Sequence, residues 1–284
     1  MEYARLIINA DDFGLTEPIN RGIIETIENG TVNSVSLIAT GQESDSACDY
    51  VSLKKELFKG WHINLTTGRP VLEPGQVSTL TDRNGFFLGR NRFVLKAVAG
   101  FLNANECRME LLAQLDRLVK NNIQISHIDS HHDIHYLRFV AKIIELILFD
   151  LNTRYVRFHK SHIKFLPDFR PLSLFDKVLI QQLAKRSLYQ NKNYFIDFIW
   201  FRELYQYKIK LKVLKSYISG MTAGVNLVIC HPGYFDKKNE LNLKYNHQRQ
   251  EEMKALCNPE ILFFLKQHNI KMIFNNTNTY ETSI

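Results

Sequence analysis

Acids and imidazoles, the side chains that bind divalent cations and move protons, gather at a few points along this 284-residue chain. Asp11 and Asp12 stand together after the apolar run Leu6-Ile7-Ile8, and His62 lies within Gly60-Trp61-His62-Ile63-Asn64-Leu65. Residues 127–135 hold His127, Asp129, His131, His132, Asp133 and His135, and His231 follows Cys230 at the head of a Pro232-Gly233 turn. Imidazole nitrogens and carboxylate oxygens are the usual ligands of zinc and suit several other divalent ions. Taken singly, each piece has a plainer reading. An Asp-Asp pair can cap a helix or make a turn. A histidine in a strand can be a satisfied core residue, and His231 can belong to turn chemistry. The cluster at 127–135 holds more His and Asp than a turn needs, and four such groups at strand ends favour metal chemistry.

Those residues need elements to bring them together. Leu6 to Ile8 reads as a buried strand. A helix over Asn20 to Glu28 follows, with Ile23, Ile24 and Ile27 on one face and Gly30 as its stop. Strand Val35 to Ile38, helix Ser44 to Phe58 and strand Trp61 to Leu65 come next. Residues 67–100 carry loop chemistry: Gly68, Pro70, Pro74, Gly75 and Asp82-Arg83-Asn84-Gly85. Helix returns over Arg108 to Lys120, with Leu111, Leu112, Leu115, Leu118 and Val119 as its buried stripe. The pattern then gives strand Ile125 to Ile128, helix Tyr136 to Phe149 and strand Tyr155 to Phe158. A largely helical stretch covers Pro171 to Gly220. Strand Val225 to Cys230, helical segments within Gln248 to Gln267 and strand Ile270 to Phe274 complete the chain. Strands alternating with helices imply βαβ units and a parallel sheet, in which groups at the strands' C-terminal ends converge on one face. A barrel and an open sheet both satisfy this pattern.

The length suits one α/β domain, since α/β barrels run to roughly 200–250 residues as single units. No repeat, low-complexity tract or linker divides it. With 45% apolar and 23% charged residues, the chain falls among ordinary globular proteins. The net charge of +7 has much of its excess between Arg154 and Lys215. Without an accompanying nucleic-acid motif, that stretch reads as solvated helix faces rather than a nucleic-acid or membrane surface. No apolar run approaches the ~20 residues of a membrane span. Cys48, Cys107, Cys230 and Cys257 form no C-x-x-C pair, which excludes zinc-ribbon and thioredoxin-like readings. No secretory leader precedes the first strand, so a cytoplasmic location is expected.

The same segments resemble the YdjC-like carbohydrate deacetylases, which include chito-oligosaccharide deacetylases. The strings that carry the resemblance are Asn9-Ala10-Asp11-Asp12-Phe13-Gly14, Gly60 to Leu65 with Gly68-Arg69-Pro70, His127-Ile128-Asp129-Ser130-His131-His132, and Cys230-His231-Pro232-Gly233. The resemblance implies a distorted TIM-like (β/α) barrel, a single domain over residues 1–284 with a variable, mostly helical region at about 160–220. It also implies metal-dependent hydrolysis of the acetamide of an N-acetylated sugar. By position, Asp12, His62 and His131 match the metal ligands, Asp11 the proposed general base and His231 the proposed general acid. Asp133 stands where the family usually has a further histidine.

The implied cofactor is one divalent ion, Mg or Zn, with Mn, Co or Ni also compatible. The implied partner is an N-acetylated amino sugar, with a homodimer plausible on general grounds. Asp129 is expected to orient His231 or a ligand imidazole, or to serve as a structural acceptor. His127, His132 and His135 are read as structural or as support behind the ligands. Trp61 is a core residue or a platform for a sugar ring. Competing readings are a deacetylase of another glycan or glycolipid such as a hopanoid-linked sugar, Fe(II) oxygen chemistry on the same ligand set, and a non-catalytic carbohydrate-binding protein.

Overall fold

Short apolar runs that are buried on both sides form the centre of this molecule, as expected where helices cover a parallel sheet. A computed structural model describes residues 4–148, 156–157, 198–199, 211–221, 223–238, 240–241, 243 and 245–275. The elements are β1 (Ala4–Phe13), α1 (Glu17–Glu28), β2 (Ser34–Leu37), α2 (Ser44–Ser52), β3 (Phe58–Ile63), α3 (Arg90–Val98), α4 (Ala104–Lys120), β4 (His127–Ser130), α5 (Arg138–Leu148), β5 (Phe198–Ile199), α6 (Leu211–Ser219), β6 (Gly224–Cys230), α7 (His247–Leu256), α8 (Pro259–Gln267) and β7 (Lys271–Met272). Two 3-10 turns, Pro74–Val77 and His131–Tyr136, accompany them.

All the strands run parallel, in the spatial order β4, β3, β2, β1, β6, β5. The first strand is the axis. Along one side its residues Ala4 to Ala10 pair with Gly224 to Cys230 of β6. Along the other, Arg5 and Leu6 pair with β7, and Asn9 onward with β2. Ile128 also bridges Val156, which extends the sheet beyond β4. Among the described residues no ladder joins Val156 to β5, so the parallel α/β sheet is present while closure into a barrel is not seen there.

Several expected boundaries move. The first strand extends through Phe13, so Asp11 and Asp12 lie within it rather than after it. The helix begun at Ser44 stops at Ser52, and the stretch 67–100 contains α3 as well as loop. Gly89 opens α3 at φ 77°, and turn residues on both sides masked its periodicity. On α4, Leu112 and Val119 are exposed, while Glu110 and Gln114 are buried. Those polar groups face inward because they hold the loop after β3. Glu110 accepts from the Val71 and Leu72 amides, and Gln114 exchanges hydrogen bonds with the Asn64 backbone. A satisfied polar group can occupy a buried stripe that the apolar count assigns to leucine. Most of the stretch 160–220 lies outside the described residues. Among the described residues no helix is long and apolar enough to cross a membrane.

Candidate active site

Adjacent residues of a strand point to opposite faces, yet Asp11 and Asp12 reach one cluster. A β-bulge resolves this. Ala10 pairs with Val35 and Phe13 with Leu37, so β1 advances three residues while β2 advances two. The extra residue breaks the alternation and re-aims the side chains around it. Asp12 sits at φ 71°, a left-handed conformation that Asp tolerates better than most residues.

Three elements deliver the groups around Asp12. On β3, His62 stands opposite Asp129 of β4, and its Nδ1 lies 2.6 Å from Asp129 Oδ1. The carboxylate thereby takes the Nδ1–H and turns Nε2 toward Asp12 Oδ1, 3.4 Å away. A carboxylate behind a histidine is the usual way to fix the tautomer and ring plane of a metal ligand. His131 opens the 3-10 turn after β4, with its Nδ1 2.8 Å from the same Asp12 oxygen. The chain then turns sharply at His132 (φ 61°) and Asp133 (φ 56°), both left-handed. His132 is held by Thr66 Oγ1 at 2.9 Å from its Nδ1, and its ring packs on that of His131 at 4.0 Å.

Ligand atoms of Asp12, His62 and His131 lie within 4.8 Å of one another, all three residues buried. The Nε2 of His131 is buried without a hydrogen-bond partner among the described residues. One carboxylate oxygen shared by two imidazoles beside an orphaned ring nitrogen fits a bound divalent cation. A second group, Asp11, His62 and Asp129, meets the same spacing. There a cation is already supplied by the protein. Arg157 donates Nη1 and Nη2 to the two oxygens of Asp11 at 2.7 and 2.6 Å, and Nη1 also reaches Asp129 Oδ2 at 2.8 Å. A guanidinium fork thus already serves the second group, whereas in the first the Oδ1 of Asp12 faces two imidazoles and could help hold a metal.

The electrostatics follow from burial opposed by these pairs. Burial alone raises the Asp12 carboxyl, but the His131 and Arg249 charges hold it well below the usual range. Burial disfavours the His62 cation, yet Asp129 and Asp11 outweigh that and raise it to about 10. Asp129 is likewise kept low against burial by Arg157 and His62. His62 therefore carries a proton at neutral pH, which any metal bound there would have to displace.

His231 leaves the end of β6 with its Nε2 3.8 Å from Asp11 Oδ2, beyond hydrogen-bond length but within reach of the same reacting group. Two residues of α7 flank it. Glu252 accepts the His231 backbone N–H, and Arg249 donates to the His231 carbonyl at 3.4 Å and to Asp12 Oδ2.

A family model described as YdjC-like protein matches residues 5–267. The chain belongs to the YdjC-like family. A carbohydrate deacetylase of Clostridium beijerinckii is 28% identical over 269 residues, covering 95% of this chain and 98% of its own. One from Geobacillus stearothermophilus is 30% identical over 274 residues, covering 94% and 95%. The solved structure of a proposed cellobiose-phosphate cleavage protein from Enterococcus faecalis V583 superposes with a TM-score of 0.76 at 23% identity, covering 95% of this chain and 97% of that one. That likeness shows a shared fold.

Within this YdjC-like site, the five residues picked from the sequence (Asp11, Asp12, His62, His131 and His231) come together. Of the three tasks expected for Asp129, it orients the His62 imidazole and also serves as a structural acceptor, taking a hydrogen bond from Ser36 Oγ at 2.6 Å. His127 lies flat over Gly60, where a Cβ would come within 2.2 Å of its ring, and contacts Ser36 Oγ at 3.1 Å. His135 is tied to Ser130 and the Arg157 carbonyl, and burial pushes it down to about 4. Trp61 is fully buried, which makes it core and removes it as a sugar platform. Asp133 occupies a left-handed turn that suits its short polar side chain. Sequence reasoning missed Arg157, Arg249 and Glu252. Arg157 lies near the start of the basic stretch read as solvated helix faces, yet it is buried among carboxylates. Arg249 and Glu252 show only as an i, i+3 pair in a helix, a pattern typical of any exposed surface.

Proposed function

We propose that this protein removes the acetyl group from an N-acetylated amino sugar of the chito-oligosaccharide type, releasing acetate and the free amine. The observation that carries the reading is the buried ligand set Asp12, His62 and His131, flanked by Asp11 and His231, two groups suited to proton transfer. Its curated relatives are named carbohydrate deacetylases, hydrolases of amide bonds, and match over nearly the whole chain.

A divalent ion held by Asp12, His62 and His131 would polarise the acetyl carbonyl and lower the pKa of a bound water. Two imidazoles in the set favour zinc over magnesium, which prefers all-oxygen surroundings. Asp11 takes the proton of the attacking water, its carboxylate held in place by Arg157 and by Asn9 Nδ2 at 2.7 Å. His231, as imidazolium, gives a proton to the sugar nitrogen as the C–N bond breaks. Asp12 is committed to His62, His131 and Arg249 and takes no part in proton transfer. The strand order is compatible with a distorted barrel in one domain.

Acetate release from N,N'-diacetylchitobiose and N-acetylglucosamine, by metal-stripped protein and after restoring Zn, Mn, Co or Mg, tests this. Release that requires the metal and vanishes in Asp11→Asn is expected. Folded protein that releases no acetate with any metal refutes the proposal.

A further inference from the structure

Glu252 is the buried ionisable group that the chemistry above leaves unused. It is fully buried on α7, and its Oε1 has no hydrogen-bond partner among the described residues. Burying a carboxyl beside Asp11 and Asp12 is unfavourable, and packing alone would be served better by Met or Leu. What Glu252 does make is one contact: Oε2 accepts the backbone N–H of His231. Arg249, one turn earlier on the same face, donates to the carbonyl of the same residue. The His231 backbone is thus gripped on both sides where the chain leaves β6. The rest of the turn is boxed in. A Cβ on Gly22 of α1 would fall 2.3 Å from the Gly233 Cα, and one on Gly233 would meet the Arg249 stem at 3.2 Å. Gly233 N also bonds the Arg249 carbonyl.

We infer that Glu252 is a positioning residue for the proposed general acid: its carboxyl oxygen sets the direction in which His231 leaves the sheet and so holds the imidazole at Asp11. The inference rests on the deacetylase reading. Burial, together with the nearby Asp11 and Asp12, also raises Glu252 well above the usual carboxyl range, so a neutral acceptor serves as well as a charged one.

The test compares Glu252→Gln, which keeps an acceptor oxygen, with Glu252→Met, which fills the same volume without one. In the metal-loaded enzyme, Glu252→Met should lower kcat about 10²-fold with KM and metal content unchanged, the scale of a catalytic group displaced by about 1 Å. Glu252→Gln should remain close to wild type. The His231 ring proton resonance of the metal-free protein, assigned by its loss in His231→Ala, should move in the Met variant and stay in the Gln variant. A Met variant with wild-type kcat and an unmoved resonance overturns the inference, as does a Gln variant as impaired as Met. If wild-type protein releases no acetate at all, the deacetylase reading fails, while the resonance still decides whether Glu252 positions His231.

Discussion

Replacing Arg157 by leucine probes the electrostatic logic of the whole site. Arg157 makes two charge-assisted hydrogen bonds of 2.7 and 2.6 Å to Asp11 and a 2.8 Å ion pair with Asp129, and all three residues are buried. Removing one partner of a buried ion pair costs about 3–5 kcal/mol, because the other charge is left uncompensated. Here two carboxylates are left, and although Asn9, Ser36 and His62 still contact them, the loss should fall toward the upper part of that range. At about 2–4 °C per kcal/mol, thermal unfolding should drop by roughly 6–20 °C. Urea and thermal unfolding of metal-stripped wild type and variant at neutral pH measure the difference. The variant should also recover stability on adding millimolar zinc or manganese beyond what wild type gains, because Asp11, His62 and Asp129 become an open ligand set. Lysine at 157 should restore stability only in part, since an ammonium lacks the planar fork that meets both Asp11 oxygens. A leucine variant within about 1 kcal/mol of wild type, the scale of an exposed pair, refutes the account.

Asp11→Asn should abolish acetate release while metal content by elemental analysis stays near wild type; loss of the metal would remove Asp11 from the base role. His231→Ala should lower kcat by ~10²–10⁴-fold, the scale of general acid–base catalysis, and near-normal turnover would exclude it. Asp129→Asn should weaken metal binding about 10–100-fold, measured against a chelator, because the carboxylate no longer orients His62. In the metal-free protein, His62 has its folded pKa raised from 6.5 to about 10, against burial, by Asp129 and Asp11. Its contribution to stability is then complete below pH 6.5 and disappears as pH rises through 10. Urea midpoints should fall across that window and flatten in His62→Gln; an unchanged slope would refute the assignment.

Much of this site is legible from residue order because its acids and imidazoles sit at the ends of strands, where sequence position maps directly onto a place in the sheet. The strings around Asp11, His62, His131 and His231 each carry a local signature, and parallel pairing brings such ends to one face whichever way the sheet closes. Local pattern could not show that β1 continues past Ala10 with a bulge, since the bulge depends on how β1 pairs with β2. Nor could it distinguish Arg157 from the basic residues that follow it, or Arg249 and Glu252 from an ordinary charged helix face. Their partners lie 146, 237 and 21 residues away. An isolated charge carries no sign of whether folding leaves it in water or buries it against a carboxylate. Tertiary structure decides that, and with it which of two similar acidic groups already holds a guanidinium fork.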